Sequence, residues 1–453
     1  MICPNKKGGL MKKVVMVLLL TLLVVSYGFA AAQQEKPAEQ KVVTIRHMNP
    51  HTVGEGGFGD YFAAHVEKFN AEHPYIHVIN DSLPSADLRT KITVEMASGN
   101  PPNTMWLPYS YAMEFIKDDL IVDWAKIYTD PAHPEFKQRF NDTILYFSQT
   151  ADGKVPMVPF EAHIDGLFYN TEIFEKNGWK VPETFDDLID LAAKAKKIGI
   201  AGTITGGQDI RFAWLAAALA VRAGGVENAV ALAAGDAMDQ WNNPKYGFPQ
   251  AMEKFAQMVK AGIYPEGVMA INANMADQMF VRGEAATYYE GQWRPGVWED
   301  IGGKEFIEKI RRVDFPAMTD MPMGDADARI GGTIVGLAAA ADQSPEEMAA
   351  SIEWIKSISS PEFWIPVLAG GRNLYPGTVE YDKTNVSVVM QQCAEALVSA
   401  EKLFPSMDTI APPAVDLAIK RTAMPGIITG QYTVDQAVKL VQEAALDYLS
   451  TQK

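Results

Sequence analysis

The stretch TYYEGQWRPGVW, residues 287–298, puts aromatic rings next to directed polar groups. Tyr288, Tyr289, Trp293 and Trp298 sit among Glu290, Gln292 and Arg294, which a sealed core disfavours. A ring of this size offers roughly 150–250 Å² of apolar surface. Carboxylate, amide and guanidinium groups present donors and acceptors in fixed directions. A sugar needs both, because its axial C–H faces are apolar and its hydroxyl edges require hydrogen bonds. The stretch therefore reads as a wall facing a polar ligand.

Other chemistries find less support. Gly54, Gly56 and Gly59 in GEGGFG match the glycine spacing of a dinucleotide turn, and Asp81 follows at a suitable distance. That turn must be tight against the end of its strand so that phosphate meets the helix N-terminus. Here NPHTV intervenes, so the glycines belong to a longer, ligand-facing loop. Zinc-protease, redox-dithiol, nucleophile-elbow and phosphate-loop motifs are absent. The histidines, at 47, 51, 65, 73, 77, 133 and 163, lack metal-ligand spacing. Tyr288 and Tyr289 cannot share one ferric ion if they lie on a strand, since neighbours there point to opposite faces. No metal or cofactor is expected. The 56 acids offer many carboxylate pairs but no specific one for glycoside hydrolysis, so a secreted glycoside-acting enzyme stays as the rival reading.

The elements that hold such a wall belong to an exported chain. Lys12 and Lys13 precede an apolar run from Val14 to Val25, and small residues follow at Gly28, Ala30, Ala31 and Ala32. This is a signal-peptide pattern, over residues 1–30, with cleavage after Ala30 or Ala32 and Met1 or Met11 as the start. No Cys follows the run, so a lipoprotein is not expected. Cys393 then stands alone in the mature chain, and an intramolecular disulfide is excluded. Cleavage removes four lysines and no acid, taking the net charge from −16 to −20. Such a surface repels nucleic acid and anionic membranes.

With 453 residues, the chain exceeds what one core usually serves, so two lobes are expected. After a polar tether over 31–41, KVVTIRHM (41–48), DYFAAHVEKFNAEHP (60–74) and YIHVIND (75–81) read strand, helix, strand. A β-α-β opening implies a parallel sheet. A second helix starts near Asp87 and ends at Gly99. VPETFDDLIDLAAKAKK (181–197) begins with Thr184 and Asp187 placed to cap one another, and residues 433–449 form an amphipathic terminal helix. The class is α/β.

Several stretches in order resemble the extracellular solute-binding proteins of family 1, the maltodextrin-type receptors of ABC sugar importers. They are EMASGNPPNTMW (95–106), VPMVPFEAHIDGLFYNTEIFEKNGW (155–179) with VPETFDDL (181–188), FVRGEAATYYEGQW (280–293), VDFPAM (313–318), GGTIVGLAAAAD (331–342) and TGQYTVDQAVKLVQEA (429–444). The resemblance implies a two-lobed periplasmic-binding-protein fold of type II, with crossing strands between the lobes and the ligand cleft between them. It implies lobes of 42–154 plus 317–360 and 155–316 plus 361–453, with crossings near Val155 and Phe315. At the cleft it places His51, Glu55, Tyr109, Ser110, His163, Asp165, Asp209, Arg211, Gln292, Trp293, Arg372 and Asn373. Trp293 matches the family's sugar-stacking ring. The resemblance further implies a monomer that delivers a sugar to ABC permease subunits. Between Pro405 and Gln431 there is no aromatic residue where maltodextrin receptors place a second stacking ring, so a mono- or short oligosaccharide fits better than a long one. Arg211 and Arg372 leave an acidic sugar or phosphorylated polyol as an alternative. Trp106, Trp179, Trp298, Trp354 and Trp364 are assigned to packing, and Tyr288 and Tyr289 to one buried and one outward position, with core the favoured assignment.

Overall fold

The computed structural model describes residues 41–451, apart from 54–56, 141–148, 151, 210 and 378. Among the described residues, nine strands follow in chain order: β1 (Val43–Asn49), β2 (Ile76–Ser82), β3 (Thr104–Pro108), β4 (Val158–Asn170), β5 (Ala201–Ile204), β6 (Ala285–Gly291), β7 (Ile310–Val313), β8 (Arg329–Ala339) and β9 (Leu403–Phe404). The hydrogen-bonded order is β2-β1-β3-β8-β4-β6-β5, with β7 beside β4 and β9 beside β8. The opening is the β-α-β unit read from the sequence: β1 and β2 pair in parallel, joined by the helix Phe58–Glu72.

Two long strands link the halves. Val158–Ile164 of β4 pairs with β8, whereas Asp165–Tyr169 pairs with β6. Val335–Ala339 of β8 pairs in turn with β3. The β4–β8 register shifts around Glu161, an irregularity that re-aims a side chain where the strands cross.

One core gathers around β1, β3 and the Trp354 and Trp364 rings. A second surrounds the helix Phe212–Gly224, whose alanines allow close approach. A third packs Tyr288, Trp298 and Phe280. Strand β6 lies between the second and third, so both of its tyrosines are inside: Tyr288 against Trp298, Tyr289 against Phe315. The expected one-in, one-out arrangement is corrected here. A strand covered on both faces is buried on both.

Thr184 caps the helix Phe185–Lys197 through a capping box with Asp187, as its spacing predicts. Trp298, Trp354 and Trp364 are wholly buried, and Cys393 is a buried free thiol. The sequence division gives residues 317–360 to the first lobe. Met318, Ala328 and Ile330 pack instead with the second core. The buried Arg222 guanidinium holds them there, donating to the carbonyls of Phe315, Asp325 and Ala328. The chain crosses along β8. Among the described residues, no helix is long and apolar enough to cross a membrane.

Candidate functional site

Strand β4 carries the centre of the site. His163 and Asp165, two residues apart on it, project to one face. His163 Nδ1 lies 3.1 Å from the Gly332 carbonyl, which can only accept, so Nδ1 carries the proton in that bond. Burial drives the ring down to about 4 against the pull of Asp408, Gly332 and Glu161, which leaves it neutral at pH 7. Its Nε2 is then a lone-pair acceptor, buried and without a hydrogen-bond partner among the described residues. Both carboxyl oxygens of Asp165 are likewise buried and unpartnered. Burial first, then Glu290 and Asp408, push this carboxyl well above the usual range, with Arg312 acting the other way.

Gly291 lies directly opposite Asp165 in the β4–β6 pairing. A Cβ on Gly291 would stand 2.1 Å from the Trp293 ring, so only glycine lets that ring lie against the strand end. Trp293 is half-buried and meets the half-buried Trp214 edge-on, with centroids 5.0 Å apart at 63°. The His163 ring is 6.4 Å from Trp293. Arg211 sits 5.1 Å from the Trp214 ring centre and pairs with Glu290. Behind this wall, Arg294 pairs with Asp277 at 3.4 Å, and Asp277 accepts from the Trp298 indole at 2.8 Å.

A third group closes the site from β4 toward the first core. Glu161 accepts from the Trp106 indole at 2.7 Å and from Asn373 at 2.6 Å, and lies 3.1 Å from His51 Nε2. Burial works to raise the Glu161 carboxyl, but His51 and the two donors outweigh it and hold it below its ordinary value. Gln292 is buried behind, accepting from Ile164 N and donating to Asn373 and the Ala162 carbonyl. The result is an aromatic plate flanked by fixed acceptors. That arrangement binds hydroxyl or amine donors.

The pattern of the bacterial extracellular solute-binding proteins matches residues 64–387 of this chain. The chain belongs to that family. An uncharacterized ABC transporter extracellular-binding protein of Pyrococcus horikoshii is 25% identical over 277 residues, 58% of this chain and 60% of its own length. A multiple sugar-binding protein of Streptococcus mutans is 29% identical over 184 residues, 38% of this chain and 40% of its own. The chain thus spans less than two thirds of the curated relatives it matches. A chitin oligosaccharide binding protein superposes with a TM-score of 0.77 at 23% identity, over 91% of this chain and 100% of that one. A maltose/maltodextrin-binding domain from Bdellovibrio bacteriovorus, bound to maltotriose, does so with a TM-score of 0.69 at 16% identity, over 90% and 100%. These likenesses establish the two-lobed type II fold.

In this solute-binding protein the residues read from the sequence separate into groups. His163, Asp165 and Trp293 converge, with Arg211 behind Trp214. His51 joins through Glu161, its ring set among Phe58, Phe62, Trp106 and Phe160. Gln292 and Asn373 hold strands and loop together, with their polar atoms spent inside the protein. Arg372 forms a two-pronged pair with Asp300 at 2.6 and 2.8 Å, its guanidinium lying on Gly57, where φ is +85°. Tyr109 donates to the Gln149 carbonyl at 2.8 Å, and Ser110 is half-buried in the first turn of the helix Tyr109–Lys117. Glu55 and the Asp209 side chain lie outside the described residues; the Asp209 backbone closes the short turn Gly207–Asp209.

Glu161 escaped the sequence reading; Trp214 closes the FAW triplet after Arg211, where the family resemblance implies a polar or aromatic ligand contact without singling out the Trp. The family resemblance gave the signal for His163 and Asp165; Glu161, two residues before His163 on the same strand, lies at the register shift. Where a second stacking ring is missing, Asp408 and Asp416 stand instead. Asp408 accepts from Ser406, and Asp416 pairs with Lys420. Burial pushes the Asp416 carboxyl up to about 6 against Lys420. Arg89, one of the charges acting on Asp416, lies 5.9 Å from the Tyr111 ring centre on the other side of the cleft. Among the described residues, no group of three or more His, Cys, Asp or Glu could hold a metal.

Proposed function

We propose that this protein is an extracytoplasmic receptor that takes a mono- or short oligosaccharide between its lobes and hands it to an ABC permease. The observation that carries the reading is the half-buried Trp293 plate beside two buried acceptors without partners, His163 Nε2 and Asp165. A ring buries the apolar face of a sugar while its hydroxyls satisfy the acceptors. Relatives named for sugar binding support it. The lobes divide along β4 and β8, and closure about those strands buries the ligand. The mature chain starts after the 1–30 signal, carries no lipid and works as a monomer without turnover.

The experiment is a thermal-unfolding screen of the mature protein against saccharides. A cognate sugar raises the unfolding temperature by mass action. The same mixtures, incubated for hours and separated chromatographically, return the saccharide unchanged. Catalytic release of product would establish the glycoside-acting rival, and a panel without any stabilising saccharide would remove the sugar reading.

A further inference from the structure

The plate, His163 and Asp165 impose a selection by charge. Asp165 is only 3% exposed, and neither of its oxygens has a donor among the described residues. The cations nearest to it are committed elsewhere. Arg312 donates to the Asp165 backbone carbonyl and pairs with Asp314, and Arg211 is taken by Glu290. The groups facing Asp165 are Glu290 and Tyr289 from β6, Asp408 from the segment after β9, Arg312 from β7 and His163 from its own strand. His163 adds a further acceptor, since its only proton is turned to Gly332. The side chains of His163 and Asp165 beside the Trp293 ring therefore present acceptors, and burial holds the Asp165 carboxyl above its usual range until an opposite charge meets it.

A hydroxyl entering here donates one hydrogen bond and leaves the buried Asp165 carboxyl without an opposite charge. A carboxylate or phosphate would bring a negative charge against it. A protonated amine brings three donors and the opposite charge, and it gains attraction from an adjacent aromatic face. We propose that the saccharide carries a protonated amino group, which seats against the buried, unpartnered Asp165 and His163 beside the Trp293 ring. This inference rests on the sugar-receptor reading and narrows it to amino sugars. It sets aside the acidic sugar or phosphorylated polyol that Arg211 and Arg372 suggest from sequence, since both guanidiniums are already paired with carboxylates.

The test uses matched saccharides that differ at one substituent. Glucosamine, glucose, N-acetylglucosamine and glucuronate form one set, and the galactose series forms another. The disaccharide of glucosamine is compared with its N-acetylated form. Each is titrated calorimetrically into the mature protein at pH 6. The amine should bind about 10-fold or more tightly than its hydroxyl or N-acetyl partner, with the uronate weakest. In Asp165→Asn the ratio of amine to parent affinity should fall toward one, whatever the affinity for the parent becomes. If that variant does not fold, Asp408→Asn reports the same ratio. Equal affinity for amine and parent, or a ratio unmoved by these substitutions, overturns the inference and leaves the sugar receptor standing. If neither amino nor neutral saccharides bind, the receptor reading fails and takes the inference with it.

Discussion

Asn373 donates to Glu161 across 2.6 Å, and through that bond the loop after the helix Pro361–Ala369 is fastened to β4 where it crosses between the lobes. The other end of the Asn373 amide accepts from Gln292 at 2.7 Å and from Leu374 N at 2.8 Å. The polar residues around Trp293 thus serve two different purposes. One set leaves its atoms open toward the cleft, and the other spends them on the frame.

Trp293 belongs to the open set. Replacing it with alanine should weaken saccharide binding by about 10-fold or more, equivalent to at least ~1.4 kcal/mol. Its half-buried ring should contribute less to ligand-free stability than the wholly buried Trp298. Trp298→Ala leaves a cavity and an unpartnered Asp277, and should cost about 3–5 kcal/mol of stability. Calorimetric titration and denaturant unfolding of both variants check the contrast. A destabilised Trp293→Ala protein with normal affinity would move the plate elsewhere.

Gly291 positions that ring without touching the ligand through a side chain. A methyl group there would stand 2.1 Å from the ring, so Gly291→Ala must displace Trp293. The charge and polarity of the site remain as they were. Affinity should fall about as far as in Trp293→Ala, and the double variant should show little further loss. Additive losses would mean that the glycine acts on something other than the ring.

Gln292 belongs to the frame. Gln292→Ala strips partners from the buried Ile164 N–H and Ala162 carbonyl, and removes a donor from Asn373. Each unsatisfied group costs about 1–3 kcal/mol, so a loss of roughly 2–6 kcal/mol is expected. Urea unfolding measures it, and the protein still folded should keep most of its affinity. Loss of affinity at unchanged stability would return Gln292 to the ligand-contacting residues.

Acid should destabilise the protein through its buried histidines. Burial lowers His47 to about 3, and His65 and His163 to about 4, from an ordinary value of 6.5. The unfolded rings bind protons that the folded rings refuse, so this contribution is present above pH 6.5 and is lost as pH falls toward 4 and 3. Asp416, raised to about 6, acts in the opposite sense between about 6 and 4. A difference measurement separates them. Between pH 6.5 and 4, stability of His47→Gln should fall less steeply than that of the parent, by up to about 1.4 kcal/mol per pH unit. Parallel curves from chemical unfolding at four pH values would exclude His47 as a contributor.

The sequence by itself determined the α/β class, the β-α-β opening and the Thr184 cap, because each depends on residues close together in the chain. It also assigned Trp298 to the core, where the structure buries it, because Trp298 lies outside the family motif that marks Trp293. What it could not settle was which face of a covered strand is buried, because β6 has cores on both sides and hides both tyrosines. Nor did spacing reveal that Gln292, Asn373 and Arg372 turn to partners as far as 212 residues away. An amide or guanidinium looks the same in sequence whether it meets a ligand or a distant carbonyl. Only the tertiary structure decides, because a buried polar atom takes whichever partner the packing of remote segments brings within about 3 Å.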